Sequence, residues 1–475
     1  MSLDPGVRTR LREQVDEAGW IEAPQRMGPY LSEQRGLFPG EAEAVLRPAS
    51  PAAVSRILAV CHEARVGVVP QGGNTGLCGG ANPARGQIVL ALDRLDRIRE
   101  VDAENFTLTA EAGCILARIQ ARAREADRFF PLSYAAEDRC QIGGNLSTNA
   151  GGMNVLKYGN ARDLCLGLEV VLADGRIWSG LKTLRKDNSG LDLKDVFIGA
   201  EGTLGVITAA TLKLFPKPTA QATAMIGLSG ARAAVNMLGR LRATSADALT
   251  ACELMARRPV EFALHHGEDC REPFPSAYPW YLLVDLSSSR PEDDLAGVLR
   301  RCLAGAVGDG LIQAYAVAAS EREASALWRI RKSIPHAQRR EGASIKHDIS
   351  VPVSRIPDFL ERATAAVEAE LPGVRPCPFG HVGDGNIHFN LSQPPDMDAD
   401  AFIARWDHFN RIVHDVVADM GGSFAAEHGV GKLKPAALSA YKSAVEIALM
   451  HALKQAWDPR GILNPGKLYP ARETD

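Results

Sequence analysis

Two glycine-rich runs in the first half of the chain most constrain how it can fold. The first, PQGGNTGLCGG (70–80), follows a predicted strand at 66–69, and the second is IGGNLSTNAGG (142–152). Glycine permits positive φ and lets main-chain N–H groups approach a ligand closely, so successive amides can bind an anion such as a diphosphate. Taken alone, either run could equally be a tight turn in a β-rich domain.

The two runs differ from the common nucleotide-binding loops. Neither is followed by the Lys-Ser pair of a Walker loop, and neither has the GxGxxG spacing of a Rossmann turn, so a nicotinamide cofactor is disfavoured. Two more glycine-centred junctions, YGNARD (158–163) and GAEGTLGVIT (199–208), lie in the same half. Because four such segments occur together, a ligand-binding function is favoured over isolated turns.

The length of 475 residues exceeds what one hydrophobic core usually supports and predicts two domains, or three.

Local patterns predict the main helices and strands. Asp174 and Gly175 suit the tight turn of a hairpin, and Pro335 is expected to kink or interrupt its helix. The predicted helices are 50–67, 324–342 and 400–422, and the predicted strands are 66–69, 87–92, 106–113, the hairpin 166–180, 204–218 and 343–352.

The composition excludes several classes of protein. Apolar residues make up 46% and charged residues 23%, and the net charge of −3 carries no nucleic-acid signature. Nine cysteines without a CxxC pair predict a reducing compartment and no disulfide framework. The first residues lack the apolar stretch of a signal peptide, and no apolar run approaches the roughly 20 residues of a spanning helix. We therefore expect a cytoplasmic protein without a membrane span.

In the second half, PFGHVGDGNIHFN (378–390) has the composition of a metal site. A turn at GDG can fold His388 back towards His381, and in a strand the side chains of His388 and Asn390 share one face. Two imidazoles and a carboxylate with an open position define a catalytic divalent site. Asp384 and Glu427, which precedes His428 in AAEHGVGK (425–432), are both candidates for the carboxylate, and spacing alone leaves the choice open.

The glycine segments, together with PLSYAAEDRCQIGGNLSTNAGG (131–152), resemble the FAD-binding domain of the vanillyl-alcohol oxidase and p-cresol methylhydroxylase flavoproteins over residues 40 to 218. The resemblance implies that the diphosphate contacts Gly72, Gly73, Asn74, Thr75 and Gly76, and that the rest of the cofactor contacts Gly144, Asn145, Thr148, Gly151 and Ile207. Members with covalent flavin often have histidine where this chain has Asn74. FAD is therefore expected to bind non-covalently, with a thiol link through nearby Cys78 as the alternative.

GHVGDGNIHFN, AAEHGVGK and SIKHDISVP together resemble the D-2-hydroxyacid dehydrogenases of this flavoprotein family, which include D-2-hydroxyglutarate, D-lactate and glycolate enzymes. The resemblance implies a divalent ion, zinc or manganese, on His381, His388 and Glu427, with His428 as general base. NPGKLY (464–469) resembles the C-terminal return to the flavin, which assigns Asn464 to the cofactor site.

The substrate carboxylates need cations, because unpaired charges are costly to bury. In LWRIRKSIP, Arg329 and Arg331 are two residues apart, so they face different ways on a helix and only one can enter a site. The resemblance selects Arg331 and Lys346 for the carboxylates, and Asn390 for the carboxylate next to the reacting carbon.

The fold that the resemblance implies is α+β: a two-part FAD-binding domain of the p-cresol methylhydroxylase type and an α+β substrate domain with an antiparallel sheet. The predicted segments are an N-terminal helical segment at 1–39, the FAD-binding domain at 40–218, the substrate and metal domain at 219–425, and a C-terminal segment at 426–475 that completes the active site.

The implied function is metal-assisted, FAD-dependent oxidation of a D-2-hydroxy acid to the 2-oxo acid. Arg331 and Lys346 favour D-2-hydroxyglutarate, with D-malate as a related possibility. Pro335 stands where D-2-hydroxyglutarate members can have a small hydroxylated residue, which keeps D-lactate or glycolate as an alternative. Two further hypotheses are a non-catalytic flavin-binding electron-transfer subunit and an oxidase that uses dioxygen. The expected partners are an electron carrier, such as an electron-transfer flavoprotein or a quinone pathway, and a second subunit in a homodimer.

Overall fold

The computed structural model describes residues 3–470 and divides them into two units. Both consist of α-helices and β-sheets in which most neighbouring strands are antiparallel. The first unit comprises the described residues up to Gly152, Gly159–Lys217 and those from Glu427 onward; the second comprises Met153–Tyr158 and Pro218–Ala426. The predicted division into four segments stays a prediction.

The bounds of the elements are as follows. The helices are α1 (Pro5–Arg12), α2 (Pro24–Leu31), α3 (Pro51–Ala64), α4 (Leu116–Glu125), α5 (Ile142–Ser147), α6 (Val155–Tyr158), α7 (Lys194–Phe197), α8 (Ala231–Thr244), α9 (Arg257–His266), α10 (Leu295–Gly308), α11 (Glu321–Arg340), α12 (Ile356–Glu370), α13 (Ala399–Ile403), α14 (Trp406–Asp419), α15 (Pro435–Tyr441) and α16 (Ala444–Trp457), with short 3₁₀ turns at Glu17–Gly19 and Val353–Arg355. The strands are β1 (Trp20–Ile21), β2 (Val45–Leu46), β3 (Gly67–Gln71), β4 (Gln87–Ala91), β5 (Ile98–Asp102), β6 (Thr107–Glu111), β7 (Arg128–Phe129), β8 (Cys165–Val171), β9 (Ile177–Gly180), β10 (Val206–Lys213), β11 (Phe215–Pro216), β12 (Ala220–Leu228), β13 (Leu249–Ala256), β14 (Trp280–Ser288), β15 (Ala314–Val317), β16 (Ser344–Ile345), β17 (Asp348–Ser350), β18 (Arg375–His381) and β19 (Asn386–Ser392).

The first unit contains two main sheets. One has the order β1-β2-β4-β3, with β3 and β2 both parallel to β4, and the other is antiparallel with the order β5-β6-β10-β8-β9. Helix α3 begins as its sequence predicts, because the Ser50 hydroxyl accepts a hydrogen bond from the Ala53 N–H at 3.2 Å. The predicted hairpin is also present as β8–β9, and Gly175 takes the positive φ of +89° that its turn requires.

The second unit is built on one large sheet with the order β15-β12-β14-β13-β18-β19-β16, in which β17 also pairs with β19. Side chains alternate between its two faces. Leu282, Val284 and Leu286 of β14 pack on one face with residues of α8, α10, α12 and α14, whereas Tyr281 and Leu283 pack on the other with α9 and α11. The face under α9 and α11 is called the inner face below, because it carries the candidate catalytic side chains.

Three predicted elements differ in the structure. Helix α11 runs through Pro335 without interruption from Glu321 to Arg340, because Ile334 and Ala337 on either side of the proline are buried and tertiary packing offsets the lost hydrogen bond. The predicted strand at 343–352 is two short strands, β16 and β17, because a ring nitrogen of His347 bonds the Phe389 carbonyl oxygen at 2.8 Å between them.

The predicted helix at 400–422 is also divided, into α13 and α14. Phe402 and Phe409 are both fully buried on either side of the break, so the apolar spacing of seven residues is the same as in one continuous helix. Among residues 3–470, the structure contains no helix with the length and apolar character needed to cross a membrane.

Candidate active site

The two glycine-rich runs lie against each other in the first unit. A Cβ on Gly73 would stand 2.2 Å from the carbonyl oxygen of Arg139, so only glycine allows this approach. A Cβ on Gly72 would lie 3.6 Å from the Cα of Gly144, which belongs to the second run. Asn74 adopts a left-handed φ of +51°, and its side-chain amide donates to the Ser32 carbonyl oxygen at 2.7 Å. The structure therefore brings together residues that the sequence separates by about seventy positions.

The surroundings of these runs fit a bound cofactor. Neither Gly76 nor Gly144 has a neighbouring protein atom within 4 Å of the position of a Cβ, so both present backbone to open space. The side-chain oxygens of Gln141 and Asn145 are buried without a hydrogen-bond partner from the protein. Because buried polar atoms are normally satisfied, these oxygens suit the hydroxyl and N–H donors of a ribitol chain and a flavin ring.

The other residues assigned to the cofactor lie in the same unit. The Thr148 hydroxyl donates to the Gly144 carbonyl oxygen at 3.1 Å, and Gly151 follows it in the loop after α5. Ile207 lies in β10, where it is buried and opposite Val170. The contacts of Gly72, Gly73, Asn74, Thr75, Gly76 and these residues with FAD stay predictions.

The C-terminal segment returns to the first unit at the end of β3. The Asn464 backbone N–H donates to the Val68 carbonyl oxygen at 2.8 Å, and its side-chain amide donates to the carbonyl oxygens of Gly80 and Glu201 at 2.9 and 2.7 Å. Its own side-chain oxygen is buried without a partner from the protein. Asn464 thus joins the loop after β3 to the segment that contains Glu201.

Glu201 fixes the backbone after His428. Its carboxylate accepts hydrogen bonds from the N–H groups of Val430 and Gly431, both at 2.8 Å. Burial raises the pKa of Glu201, although these two N–H groups act in the opposite direction. The contact joins GAEGTLGVIT to AAEHGVGK, two segments that are far apart in the sequence.

In the second unit, PFGHVGDGNIHFN forms β18, a tight turn and β19. The turn folds His388 back towards His381, as predicted, and the centroids of the two rings lie 5.8 Å apart. In β19, Ile387 and Phe389 pack in the core under α12, whereas His388 and Asn390 point to the inner face. The alternation of polar and apolar residues in NIHFN is what separates the two sets.

A fully buried carboxylate holds His381. Glu253 in β13 lies opposite His381 in β18, and its Oε1 is 2.5 Å from Nδ1 of the histidine. Its other oxygen, Oε2, accepts a hydrogen bond of 2.6 Å from Nε of Arg331 in α11. Glu253 is completely buried, so this carboxylate has two charge-assisted partners instead of water.

Two carboxyl groups on the inner face have opposite pKa shifts. Burial would raise the pKa of Glu253, but the Arg331 guanidinium and the His381 imidazole outweigh it and hold the pKa below its ordinary value. Asp285 in β14 accepts hydrogen bonds from Thr223 and Trp328, and burial raises its pKa to about 6. Glu253 is therefore ionised at neutral pH.

The residues predicted to bind the substrate carboxylates lie on this same face. Arg331 is buried and its guanidinium carbon lies 4.8 Å from the ring centroid of Phe379, whereas Arg329 is exposed, so the two arginines face different ways as predicted. Lys346 lies between β16 and β17. The Asn390 side-chain amide donates to Oε1 of Gln338 at 2.9 Å. Their binding of substrate stays a prediction.

Further carboxylates lie near the predicted metal ligands. In the second unit, Oδ1 of Asp348 is 3.8 Å from Nδ1 of His388. In the first unit, Oε1 of Glu427 is 3.6 Å from Nε2 of His428. The alternative ligand Asp384 is exposed and accepts a hydrogen bond from the Asn386 N–H, which is a role within the turn.

Sequence reasoning missed Glu253, Asp348 and Glu201. Glu253 left a signal, because it is the single charged residue in LTACELMA (249–256), a run otherwise typical of a buried strand. Asp348 stands in SIKHDISVP, where its alternation with Lys346 places both on one face. Apart from the glycines around Glu201, nothing in the sequence indicated a role for it.

Two protein families match most of the chain. Residues 42–180 match a family described as a FAD binding domain, and residues 217–468 match the C-terminal domain of FAD linked oxidases. The chain belongs to the FAD-linked oxidases. It is therefore an FAD-linked oxidoreductase, and the predicted membership of this flavoprotein family is confirmed.

Curated relatives of this FAD-linked oxidase cover most of its length. A mitochondrial D-2-hydroxyglutarate dehydrogenase of Bos taurus is 35% identical over 459 residues, which are 96% of this chain and 82% of the relative. A D-2-hydroxyglutarate dehydrogenase of Xanthomonas citri pv. viticola is 35% identical over 90% of each chain. A D-2-hydroxyglutarate–pyruvate transhydrogenase of Saccharomyces cerevisiae is 34% identical over 95% of this chain and 91% of its own.

Solved structures show the same fold at low sequence identity. A p-cresol methylhydroxylase with bound substrate has a TM-score of 0.76 at 17% identity and covers 98% of this chain and 97% of its own. An alkyldihydroxyacetonephosphate synthase has a TM-score of 0.74 at 16% identity, with coverage of 98% and 85%. The predicted α+β class with a p-cresol methylhydroxylase-type FAD-binding domain is confirmed.

Proposed function

We propose that this FAD-linked oxidase is a dehydrogenase that converts a D-2-hydroxy acid to the 2-oxo acid, with D-2-hydroxyglutarate as its main substrate. D-malate is a related candidate, and D-lactate or glycolate is the alternative. The observation that carries the proposal is the inner face of the second unit, where His381, His388, Asn390 and the buried Arg331 lie together. The names of the curated relatives support the choice of substrate.

His381, His388 and Glu427 would hold a divalent cation, zinc or manganese. The proposal is supported by Nδ1 of each histidine, which faces a carboxylate as metal-ligating histidines commonly do: Glu253 at 2.5 Å for His381 and Asp348 at 3.8 Å for His388. Glu427 follows directly on Ala426, whose N–H donates to the Asp348 carbonyl oxygen at 3.2 Å. When bound, such a cation supplies positive charge that stabilises a developing alkoxide.

The cofactor and the predicted site residues have separate roles in the reaction. FAD, when bound in the first unit, supplies the acceptor for the hydride from the substrate carbon. His428 takes the hydroxyl proton on an imidazole nitrogen, a step worth about 10² to 10⁴ in rate when the base is well placed. Arg331 and Lys346 bind the carboxylates, and Asn390 orients the carboxylate next to the reacting carbon. Two cations favour a dicarboxylate over lactate or glycolate.

Anaerobic reduction of the flavin tests the function. D-2-hydroxyglutarate should bleach the flavin absorbance of the purified protein, and the L-enantiomer, as matched control, should leave it unchanged. Chelation by EDTA should abolish bleaching without releasing FAD, and added zinc or manganese should restore it. Full bleaching after verified removal of metal would contradict the role of the cation, and faster bleaching by D-lactate or glycolate would select the alternative substrates.

The same assay separates the enzyme from a non-catalytic electron-transfer subunit. His428→Ala should slow flavin reduction by about 10² to 10⁴ and leave the flavin content unchanged. An unchanged reduction rate in this variant would favour the electron-transfer subunit.

We also propose an electron acceptor, a cellular location and an oligomeric state. The electrons would pass to a carrier such as an electron-transfer flavoprotein or a quinone pathway, and peroxide formation during turnover would identify an oxidase instead. A cytoplasmic homodimer is proposed, and light scattering of the purified protein measures the oligomeric state.

A further inference from the structure

Glu253 is a side chain of the inner face whose two carboxylate oxygens bond both a predicted metal ligand and a predicted substrate-binding arginine. Oε1 lies 2.5 Å from Nδ1 of His381, and Oε2 lies 2.6 Å from Nε of Arg331. The partners are 128 and 78 residues away in the sequence, and they belong to a neighbouring strand and to the covering helix. One rigid carboxylate therefore fixes two groups that come from different elements.

The two bonds to Glu253 decide which atoms of His381 and Arg331 would bind ligands. An ionised carboxylate accepts hydrogen bonds, so the bond to Glu253 puts an N–H on Nδ1 of His381, and Nε2 is the nitrogen that would bind a metal. With Nε engaged, Arg331 keeps the four N–H groups of its two terminal nitrogens for a carboxylate. The burial of Glu253 prevents water from replacing either bond.

We propose that Glu253 is a positioning residue that couples metal binding to substrate binding, because it orients His381 for the cation and Arg331 for the substrate carboxylate at once. The inference rests on the proposed function. It adds a residue to which neither the resemblance nor the relatives assign a role.

The test compares three single variants of the full-length, flavin-loaded protein. Zinc affinity is measured without substrate by competition with a chromophoric chelator, and KM for D-2-hydroxyglutarate is measured at saturating zinc. Glu253→Gln should weaken zinc binding about 10- to 100-fold, as loss of a carboxylate partner of a ligating histidine does, and should also raise KM. Arg331→Met should raise KM about 10-fold or more and leave zinc affinity unchanged, because Glu253 still holds His381.

Asp285→Asn is the matched control. Asp285 is a carboxylate in the strand next to β13 and points to the same face, but it bonds Thr223 and Trp328 and neither of the two cationic side chains. This variant should change neither zinc affinity nor KM. If Asp285→Asn weakens zinc binding as much as Glu253→Gln does, the effect is general to this face and the coupling role is wrong.

If Glu253→Gln fails to fold, a double variant still tests the inference. Glu253→Gln with Arg331→Met removes both buried charges, which avoids leaving one of them unpaired. The double variant should fold by circular dichroism and still bind zinc weakly, in contrast to Arg331→Met alone; zinc affinity equal to that of Arg331→Met would overturn the inference.

The wild-type measurement distinguishes this inference from the proposed function. If the wild type binds no stoichiometric zinc or manganese, the metal-assisted function fails and the inference fails with it. If the wild type binds the cation and Glu253→Gln binds it equally well, the positioning role alone is refuted.

Discussion

Gly144 shows at the scale of one residue how the first unit is shaped for a ligand. Apart from its own helix and chain neighbours, no protein atom lies within 4 Å of the place where its Cβ would be, and its φ is not in the left-handed range. The protein alone therefore gives no reason for glycine at this position. A cofactor lying against the backbone does give one.

Gly144→Ala should reduce FAD binding without destabilising the fold. A methyl group placed against a close-packed ligand costs about 1–3 kcal/mol, and this loss should appear in the FAD dissociation constant. The measurement is flavin fluorescence during titration of apoprotein, with the thermal midpoint of the apoprotein as a second readout.

Gly239→Ala serves as its control, because Gly239 also has no neighbour within 4 Å of a Cβ but lies in α8 of the second unit. This change should leave FAD affinity unchanged. Equal FAD affinity in Gly144→Ala and wild type would remove Gly144 from the cofactor site.

At the scale of elements, the turn between β18 and β19 decides how the two histidines face each other. Gly385 in this turn has a φ of +94°, and a Cβ there would stand 2.3 Å from the Val351 carbonyl oxygen. Two separate constraints, conformation and space, therefore require glycine.

Gly385→Ala should destabilise the turn and weaken metal binding. The left-handed conformation costs about 1–2 kcal/mol, and the clash with backbone adds to it. The expected result is a lower thermal midpoint together with a lower zinc affinity than in the wild type, because the β18–β19 register that aligns His381 with His388 is disturbed.

Comparison with Gly421→Ala separates the cost of the clash at Gly385 from the cost of the left-handed conformation. Gly421 has a φ of +68° but no neighbouring atom within 4 Å of a Cβ, so its substitution carries only the conformational cost. If both variants lose the same stability, contact with Val351 is not what requires glycine at position 385.

A helix or strand could be predicted from the sequence when the pattern that specifies it lies within the segment itself. The alternation in NIHFN correctly predicted a strand with His388 and Asn390 on one face. The break between α13 and α14 was missed because the spacing of Phe402 and Phe409 is the same with or without it. The long helix at 324–342 was predicted, and Pro335 does not interrupt it because packing of its neighbours outweighs a local preference.

At the scale of the whole molecule, the burial of the cysteine thiols shows how closely the two units are each packed. All nine are free thiols in the structure, and all except the partly exposed Cys270 are buried. Burial raises the pKa of Cys61, Cys165 and Cys377 to about 12 each. Because the thiolate is the reactive species, buried thiols should be inert in the native protein.

A thiol count tests this packing. A colorimetric disulfide reagent at neutral pH should modify about one thiol in the native protein and all nine in denaturant. Cys270→Ser should remove the native reaction. Rapid native modification of several thiols, or persistence of the reaction in Cys270→Ser, would show that the units open far more than the structure indicates.

The sequence by itself determined the family, the glycine-rich loops and the histidine turn, because each depends on residues that are neighbours in the chain. Only the tertiary structure decided that Glu253 lies between His381 and Arg331, and that Glu201 holds the backbone after His428. These partners are brought together by strand order and register, such as the pairing of β13 with β18. Packing of the whole sheet selects that register, and no short stretch of sequence contains the information.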